Sequence, residues 1–460
     1  MRRLALLPAL PLLVAALFAF RVAQESTPTL PAVPFDYDGI ALPRHLTAPP
    51  VQALDNTPAT NPITDAGATL GRVLFYDTRL SRNETVSCAS CHQQGRAFSD
   101  ATALSLGFNG GHTGRNSMGL SFARYYERGR FFWDERAATL EDQVLMPIQD
   151  GVEMGMMLPD VVTRLQATSF YGPLFRSAFG TPEITSERVA RALAQFVRSM
   201  VAPGSRYDQG RAAAPPGPPG APLPTLNASE NNGLALFFGR ALCSRCHAGD
   251  LMVLPNPRNN GLDAALTDVG AGGGRFKVGS LRNVALTAPF MHDGRFQTLE
   301  QVVDFYDRGV QNSPNLDPAL RTPDGRAIRL NLAVQERADL VAFLNALTDT
   351  GFLNDVRWSN PFASTTAAAP VAEAGAPMLA LAGPNPFSGS AVLRVTLPAS
   401  SIATLAVFDL QGRRLATLTE GLRPAGTFTA TWGATAVAPG VYLARLEVEG
   451  RVVTRSLVVR

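Results

Sequence analysis

The stretches Cys88-Ala-Ser-Cys-His92 and Cys243-Ser-Arg-Cys-His247 share the pattern Cys-x-x-Cys-His and contain all four cysteines of the 460-residue chain. In this pattern two thiols can bond to the vinyl groups of a haem while the adjacent histidine reaches the iron. A redox dithiol and a structural zinc site are the alternatives. The sequence predicts two covalently bound c-type haems, held by Cys88, Cys91, His92, Cys243, Cys246 and His247.

The composition is that of an ordinary soluble protein, since 46% of the residues are hydrophobic and the formal net charge is +3. A length of 460 residues allows about three domains. The charge is too small to indicate nucleic-acid binding, and the chain has no basic run or recognition motif to suggest it. We therefore expect no nucleic acid among its partners.

The N-terminus has the pattern of a secretory signal, with Met1-Arg-Arg3 followed by an apolar run from Leu4 to Phe20. The alternative is a single membrane anchor, because the run is near the lower length limit of a membrane span. We predict a cleaved signal over 1–25 and no transmembrane span in the mature chain. Export agrees with the haem motifs, since c-type haem is attached outside the bacterial cytoplasm.

The sequence of residues 26–357 predicts two haem-bearing domains. Residues 26–62 are rich in Pro and Thr and predict an extended lead-in. The first haem domain follows over 63–210, and a Pro/Gly-rich connection without helix or central strand over 211–226 leads to the second haem domain, 227–357. The clearest predicted helices are Glu187–Met200, Gly233–Leu242 and Val334–Leu347.

The C-terminal part differs from the rest of the chain in composition and in the pattern of its apolar residues. Residues 358–380 predict a linker, and residues 381–460 alternate apolar with polar side chains in short runs punctuated by Gly and Pro, as in a small antiparallel β-sandwich. The predicted strands are Ala391–Leu397, Ala403–Phe408, Phe428–Trp432, Val441–Leu446 and Val452–Val459. The predicted fold is therefore mainly α, with two cytochrome c-like haem lobes followed by a small all-β immunoglobulin-like sandwich.

Five short motifs mark this tail: Pro384-Asn-Pro-Phe387, Phe408-Asp-Leu-Gln-Gly-Arg413, Gly426-Thr427, Pro439-Gly-Val-Tyr442 and Val459-Arg460. They resemble the C-terminal sorting domains of type IX secretion cargo. The resemblance implies an export address read by the type IX machinery and a protein in the periplasm, at the cell surface or secreted. A carbohydrate-binding or adhesive sandwich is the alternative.

Further motifs accompany the two haem sites: Phe131-Phe-Trp-Asp134, Leu281-Arg-Asn283, Pro289-Phe-Met-His-Asp-Gly294 and Thr298-Leu-Glu300. Together they resemble the bacterial di-haem cytochrome c peroxidase family, which includes the methylamine-utilisation enzyme MauG. The resemblance implies an N-terminal haem that reacts with peroxide and a C-terminal haem that takes in and stores electrons.

The resemblance also implies three catalytic side chains. Glu153 matches the family's distal glutamate, Gln143 the amide that accompanies it, and Trp133 the aromatic residue between the haems. Heterolysis of peroxide needs a group that moves a proton between the two oxygens, a task suited to a carboxylate in a partly dry pocket. Outside the family context, a lone Glu is a solvated surface group and a Trp is a core residue.

The sixth iron ligands separate the branches of the family. Reductively activated peroxidases have a distal His at the position of Phe108, and a phenyl ring cannot bind iron. We therefore predict a first haem that is open or holds only water, with His112 as the alternative ligand. The position corresponding to the sixth ligand of the second haem is Tyr306, where MauG has Tyr and electron-storing peroxidases have Met. A phenolate donates more electron density than a thioether; Met291 and a merely packed tyrosine are the alternatives.

A calcium site between the lobes is likewise implied by the resemblance, with Asn116 and the backbone carbonyls of Thr287 and Pro289 as protein ligands. Oxygen donors with waters suit this hard cation. One residue departs from the family pattern, because Glu135 stands where Trp-Asp-Gly-Arg has glycine. We expect the departure to affect the backbone beside Trp133.

The leading interpretation is an exported di-haem peroxidase that reduces hydrogen peroxide to water with electrons from a small donor protein, a cytochrome c or a cupredoxin. The first alternative is a MauG-like oxidase that uses peroxide to oxidise a protein or organic substrate through a high-valent di-haem state, as Phe108 and Tyr306 suggest. The second is a non-catalytic surface electron-transfer cytochrome, which predicts two six-coordinate haems.

Overall fold

The computed structural model describes residues 27–362, 377–382, 387–409, 413–435, 437–438, 440–448 and 451–459. The chain divides into two compact units, Met1–Ala363 and Ser364–Arg460. The predicted signal over 1–25 lies outside the described residues, as do residues 363–376 of the predicted linker.

The described part of the first unit contains short helices joined by long irregular segments. The helices are α1 Pro49–Gln52, α2 Asp65–Tyr76, α3 Cys88–Cys91, α4 Leu140–Gln149, α5 Leu158–Gln166, α6 Tyr171–Phe179, α7 Ser186–Arg198, α8 Arg206–Ala213, α9 Ala228–Phe238, α10 Leu299–Asp304 and α11 Val334–Ala346. The antiparallel strands are β1 Leu254–Arg258 and β2 Phe276–Val278. The prediction of a mainly α fold is confirmed only in part, because irregular segments make up so much of the unit.

Two helix pairs organise this unit, and a glycine lies at the centre of each contact. Where α2 packs against α7, a Cβ on Gly71 would lie 2.0 Å from the carbonyl oxygen of Ala192. Where α9 packs against α11, a Cβ on Gly233 would lie 1.9 Å from the carbonyl oxygen of Asp339. Because glycine has no Cβ, the two backbones can approach closely at both crossings.

Each helix pair belongs to its own hydrophobic cluster, and each cluster packs against one haem motif. The first cluster contains Phe196 of α7 and contacts Cys88. The second contains Phe343 of α11 and contacts Cys243. Two cores around two haem motifs confirm the predicted lobes in part, since both cores belong to one compact unit.

The predicted helices over Glu187–Met200 and Val334–Leu347 are present as α7 and α11. The bounds of the predicted helix over Gly233–Leu242 are wrong, because α9 begins at Ala228 and ends at Phe238. The side chain of Asn227 accepts the backbone N–H of Glu230 and caps the helix five residues earlier than the apolar pattern indicates.

The predicted connection over 211–226 is not free of helix, because residues 211–213 form the last turn of α8. Arg211 at this point makes an ion pair with Asp250 through Nε at 2.6 Å. Its side chain is buried, so this tertiary contact outweighs the weak helix propensity of the flanking Pro- and Gly-rich sequence.

The predicted lead-in over 26–62 is more than an extended approach to the first domain. Tyr37 and Leu46 are buried in the first cluster, and the Tyr37 hydroxyl donates to the carbonyl oxygen of Arg357 at 2.6 Å. These contacts tie the segment to the end of the unit and make it part of the core.

A buried ion cluster around Asp208 joins three distant segments. The carboxylate accepts from Arg282 at 2.7 Å and is paired with His45 at 2.9 Å. Although burial raises it, the charge of Arg282 and the hydrogen bond from His45 hold the pKa of Asp208 below its usual value. The motif Leu281-Arg-Asn283 thus has a structural use, because its arginine links the second haem region to α8 and to the lead-in.

The second unit is built from two antiparallel sheets around one hydrophobic cluster. Its strands are β3 Met378–Leu381, β4 Ser390–Leu397, β5 Ser401–Phe408, β6 Arg414–Arg423, β7 Gly426–Gly433, β8 Gly440–Val448 and β9 Arg451–Val459. The sheet orders are β3-β4-β7 and β6-β5-β8-β9. All five predicted strands are present, and the two that the sequence analysis missed, β3 and β6, are edge strands. Residues 383–386, 410–412, 439 and 460 of the sorting motifs lie outside the described residues.

The helix crossing predicts that Gly71→Ala destabilises the protein. The added Cβ would force α2 away from α7, and overpacking of this kind costs about 1–3 kcal/mol. Thermal or urea unfolding of the haem-loaded protein measures the effect. Gly95→Ala is the matched control, because a Cβ there meets nothing within 4 Å. Equal stability of the two variants would contradict the close approach.

Candidate active site

One cavity of about 1030 Å³ lies in the first unit and is lined by both Cys-x-x-Cys-His motifs. This volume lies at the upper end of the range for ligand sites, about 300–1,000 Å³. The predicted site residues that line it are Cys88, Cys91, His92, Asn116, Trp133, Gln143, Glu153, Cys243, Cys246, His247, Thr287, Pro289 and Tyr306. The fold therefore brings all of them to one cavity, and the role of each is a separate question.

The two histidines of the motifs are held in the same way. Nδ1 of His92 is 2.8 Å from the carbonyl oxygen of Phe98, and Nδ1 of His247 is 3.1 Å from that of Met252. A carbonyl oxygen can only accept, so Nδ1 carries the proton and Nε2 has the lone pair. Burial lowers the pKa of both rings, that of His247 to about 4, which keeps them neutral. Neutral, oriented imidazoles are what an iron ligand requires.

The four thiols do not have the properties of redox-active cysteines. Burial raises the pKa of Cys88 and Cys243 to about 12, and that of Cys91 and Cys246 to about 11. Reactive cysteines are thiolates of lowered pKa. Among the described residues, neither motif belongs to a group of three or more His, Cys, Asp or Glu that could hold a metal ion. The residues fit covalent attachment of haem.

Helix α4 and the turn after it form the wall near the first motif. Leu140, Gln143, Val144 and Pro147 recur at helical spacing and line the cavity. The backbone N–H of Glu153 in the following turn donates to Asp150 at 3.1 Å.

The carboxyl of Glu153 is suited to proton transfer. Burial and, to a lesser extent, the nearby Asp150 raise its pKa, and the Arg136 guanidinium opposes the shift. A raised pKa makes a carboxyl group a stronger base, which favours a role in proton transfer.

Phe108 and His112 are placed differently. Phe108 is not among the residues that line the cavity, and its ring packs so closely on Gly155 that a Cβ there would lie 2.4 Å from it. The backbone N–H of Phe108 donates to the carbonyl oxygen of Glu153 at 3.1 Å. His112 does line the cavity, and its side chain is exposed. Phe108 therefore supports the loop that carries Glu153, and His112 stays an alternative ligand.

Tyr306 lies at the other end of the cavity in a single-turn π-helix, Phe305–Gly309, that follows α10 directly. The Nδ2 group of Asn260 lies 3.2 Å from the Tyr306 hydroxyl and 3.6 Å from the Met291 sulfur. Tyr306 and Met291, the two predicted alternatives for the sixth ligand of the second haem, therefore both contact the side-chain amide of Asn260. Burial raises the pKa of Tyr306 to about 12, and the hydrogen bond from Asn260 acts in the opposite direction.

Trp133 and Asn116 are joined by a hydrogen bond from the indole Nε1 to the Asn116 carbonyl oxygen at 2.8 Å. The Asn116 side chain donates through Nδ2 to the carbonyls of Thr102 and Ala103, at 3.3 and 3.1 Å. Its Oδ1 is therefore the side-chain atom available to a cation. This donor suits calcium, and the calcium site stays a prediction.

The sequence analysis missed a cluster beside Trp133. Lys277 is the only lysine among the 41 Lys and Arg residues of the chain, and this count was the signal that could have found it. Its backbone N–H donates to the Trp133 carbonyl at 2.8 Å, and Nζ donates to the Arg130 carbonyl at 2.8 Å. Nζ also lies 3.9 Å from the ring centroid of Tyr126 and 4.2 Å from that of Phe131. The cluster holds one buried amine against two aromatic rings at the cavity wall.

Comparisons with known proteins show which proteins this chain resembles. The family model described as di-haem cytochrome c peroxidase matches residues 65–213. The methylamine utilization protein MauG of Methylorubrum extorquens is 35% identical over 63% of this chain and 80% of the relative. The cytochrome-c peroxidase IdrP1 of Pseudomonas sp. strain SCT is 30% identical over 65% of this chain and 86% of the relative.

A solved structure, that of a MauG-like protein associated with microbial copper homeostasis, matches with a TM-score of 0.59 and 32% identity over 67% of this chain and 96% of that chain. The fold and the site define a c-type oxidoreductase with two covalently bound haems. The chain belongs to the di-haem cytochrome c peroxidase family, which includes MauG.

The second unit is identified separately. The family model described as secretion system C-terminal sorting domain matches residues 383–460. The protein is therefore exported, with the type IX machinery as the partner that the tail implies. In the part of the chain that the structure describes, every helix is too short or too polar to span a membrane.

The environment of Lys277 predicts that it loses its charge near neutral pH. Burial lowers its pKa from 10.5 to about 7, while the Glu135 carboxylate acts in the opposite direction. Because the chain has one lysine, labelling the lysine ε-carbon with carbon-13 gives a single NMR signal. We expect this signal to titrate with a midpoint near pH 7 in the folded protein, and a midpoint near 10.5 would contradict the buried site.

The same shift predicts a dependence of stability on pH. The unfolded state binds the Lys277 proton more tightly, so this group makes stability rise with pH between about 7 and 10.5. In Lys277→Met, the melting temperature should rise less with pH over that interval than it does in the parent protein.

Proposed function

We propose that the protein is an exported peroxidase that reduces hydrogen peroxide to water with electrons from an external donor protein. The observation that carries the proposal is the half-buried Glu153 carboxyl on the cavity wall, close enough to Cys88 and Cys91 of the first haem motif to raise the pKa of both thiols. An electron-transfer cytochrome has no need of a proton-transfer group at this position.

The chemistry divides between the haem and the chain. When bound, the haem that Cys88, Cys91 and His92 would hold would supply electrons to the peroxide. Glu153 would accept a proton from one oxygen of the peroxide and return it to the other, which leaves as water. Gln143, on the same wall, positions the peroxide by hydrogen bonding. The overall reaction takes up two electrons and two protons and yields two waters.

Electrons reach this wall from the second haem motif. Trp133 lines the cavity that both motifs share, and its indole is fixed by the hydrogen bond to Asn116. We assign Trp133 the role of electron relay, and Tyr306 would hold the second haem together with His247. A small cytochrome c or cupredoxin is the kind of donor that such a site would use.

Glu153→Gln tests this proposal. We expect turnover to fall by about 10²–10⁴-fold, because the amide cannot accept the peroxide proton. Haem absorbance per protein, measured with the steady-state rate, separates loss of chemistry from loss of cofactor. Glu127→Gln, at an exposed glutamate, is the matched control. Equal activity of the two variants would remove Glu153 from the mechanism.

The pH profile gives a second test of Glu153. Its pKa is raised, so kcat/KM should fall with decreasing pH at values above the ordinary glutamate pKa of about 4.3. Arg136→Gln removes a charge that lowers this pKa and should move the acidic limb to higher pH. A limb that does not move would assign it to another group.

A second candidate function is a MauG-like oxidation of a protein or organic substrate. It is favoured by Phe108, which packs on Gly155 instead of lining the cavity, and by Tyr306, whose oxygen receives a hydrogen bond from Asn260. A donor to the phenol oxygen stabilises the phenolate, which is the form that binds iron.

Addition of one equivalent of peroxide to the ferric protein without reductant tests whether the first site is open. We expect an immediate change in the Soret and near-infrared spectra, because Phe108 cannot bind iron. A long-lived change would favour the MauG-like reaction. If the change requires prior reduction in the parent protein but not in His112→Ala, then His112 is the blocking ligand and the expectation is wrong.

Tyr306→Phe should alter the spectrum of the ferric second haem, and Met291→Leu should not.

A further inference from the structure

A buried phenol with its own carboxylate partner lies on the cavity wall and has no part in the mechanism above. The Tyr126 hydroxyl donates to Oε1 of Glu135, and Nε of Arg128 donates to Oε2 at 3.1 Å. Tyr126 is 2% exposed and Glu135 is 3% exposed. The carboxylate is therefore fixed at both oxygens, and the phenolic proton has one defined acceptor.

The buried lysine restricts how this phenol can be oxidised. Nζ of Lys277 lies 3.9 Å from the Tyr126 ring centroid. In its protonated form this amine opposes any oxidation that leaves the ring positively charged. Removal of the electron together with the phenolic proton leaves the ring neutral, and Glu135 is placed to accept that proton.

The backbone of Glu135 supports a special role for this residue. Its φ is 54°, in the left-handed region that residues with a side chain adopt at a cost. Glycine, which the family pattern has at this position, would carry no such cost. A strained residue whose buried side chain receives a phenolic hydrogen bond is a candidate for function.

The position of the pair suits passage of an electron between the cavity and the surface. Tyr126 lines the cavity. Lys277 contacts the Tyr126 ring through Nζ, and its backbone N–H donates to the carbonyl oxygen of Trp133, so it connects the two aromatic residues. On the other side, the Arg128 side chain that binds Glu135 is 40% exposed. The pair is thus one side chain away from solvent.

We propose that Tyr126 and Glu135 form a redox-active pair that holds one oxidising equivalent as a neutral tyrosyl radical. The O–H bond of Tyr126 breaks, its proton moves to Oε1 of Glu135, and its electron replaces one of the two that hydrogen peroxide has taken from the protein. When an external donor returns an electron, the proton returns to the phenol. The proposal rests on the proposed reaction with peroxide, which supplies the oxidant.

Electron paramagnetic resonance of the haem-loaded protein, frozen after addition of peroxide, tests the pair. Ring-deuterated tyrosine should narrow the radical signal, which distinguishes it from a radical on Trp133. The signal should be absent in Tyr126→Phe and diminished in Glu135→Gln, whose amide cannot take the proton. Tyr125→Phe is the matched control, because the buried hydroxyl of Tyr125 has no hydrogen-bond partner among the residues that the structure describes, and its removal should leave the signal intact.

Optical spectra of the same samples separate this proposal from the one it rests on. If peroxide leaves the haem absorbance unchanged in both the ferric and the previously reduced protein, the proposed reaction itself fails. If the absorbance changes but no tyrosyl signal forms, or if the signal persists in Tyr126→Phe, the redox pair is overturned. Should Tyr126→Phe fail to incorporate haem, an undiminished signal in Glu135→Gln overturns it equally.

Discussion

The close approach of paired helices at Gly71 and Gly233 is the constraint on which the first unit depends. In both pairs the space for a Cβ is taken by a carbonyl oxygen of the facing helix. Each crossing anchors one hydrophobic cluster, and each cluster packs on one haem motif. The repetition of one packing solution around two motifs is what allows both to line a common cavity.

Much of this arrangement follows from local sequence. The five residues of each haem motif are contiguous in sequence, so the function of the motif can be predicted without knowledge of the fold. The strands β4, β5, β7, β8 and β9 alternate regularly because one face of each is buried in the second unit. β6 was not predicted, because Leu415, Leu418 and Leu422 lie three and four residues apart and not at the two-residue spacing of a strand.

What could not be predicted depends on contacts between distant residues. The helical conformation of Arg211 depends on Asp250, and the burial of the lead-in depends on residues more than 150 positions away, such as Asp208. In the site, resemblance to a family brought together Glu153, Gln143 and Tyr306. It offered no means of finding Asn260 or Lys277, whose importance lies in what they touch.

The π-helix that carries Tyr306 has an implication for how such proteins diverge. A π-turn is an α-helix with one residue too many, and α10 continues into it without a break. Deletion of a single codon would restore the regular helix and rotate every later side chain by about 100°. The identity of the residue offered to the metal could therefore change in one evolutionary step, while α10 and its capping box stay as they are.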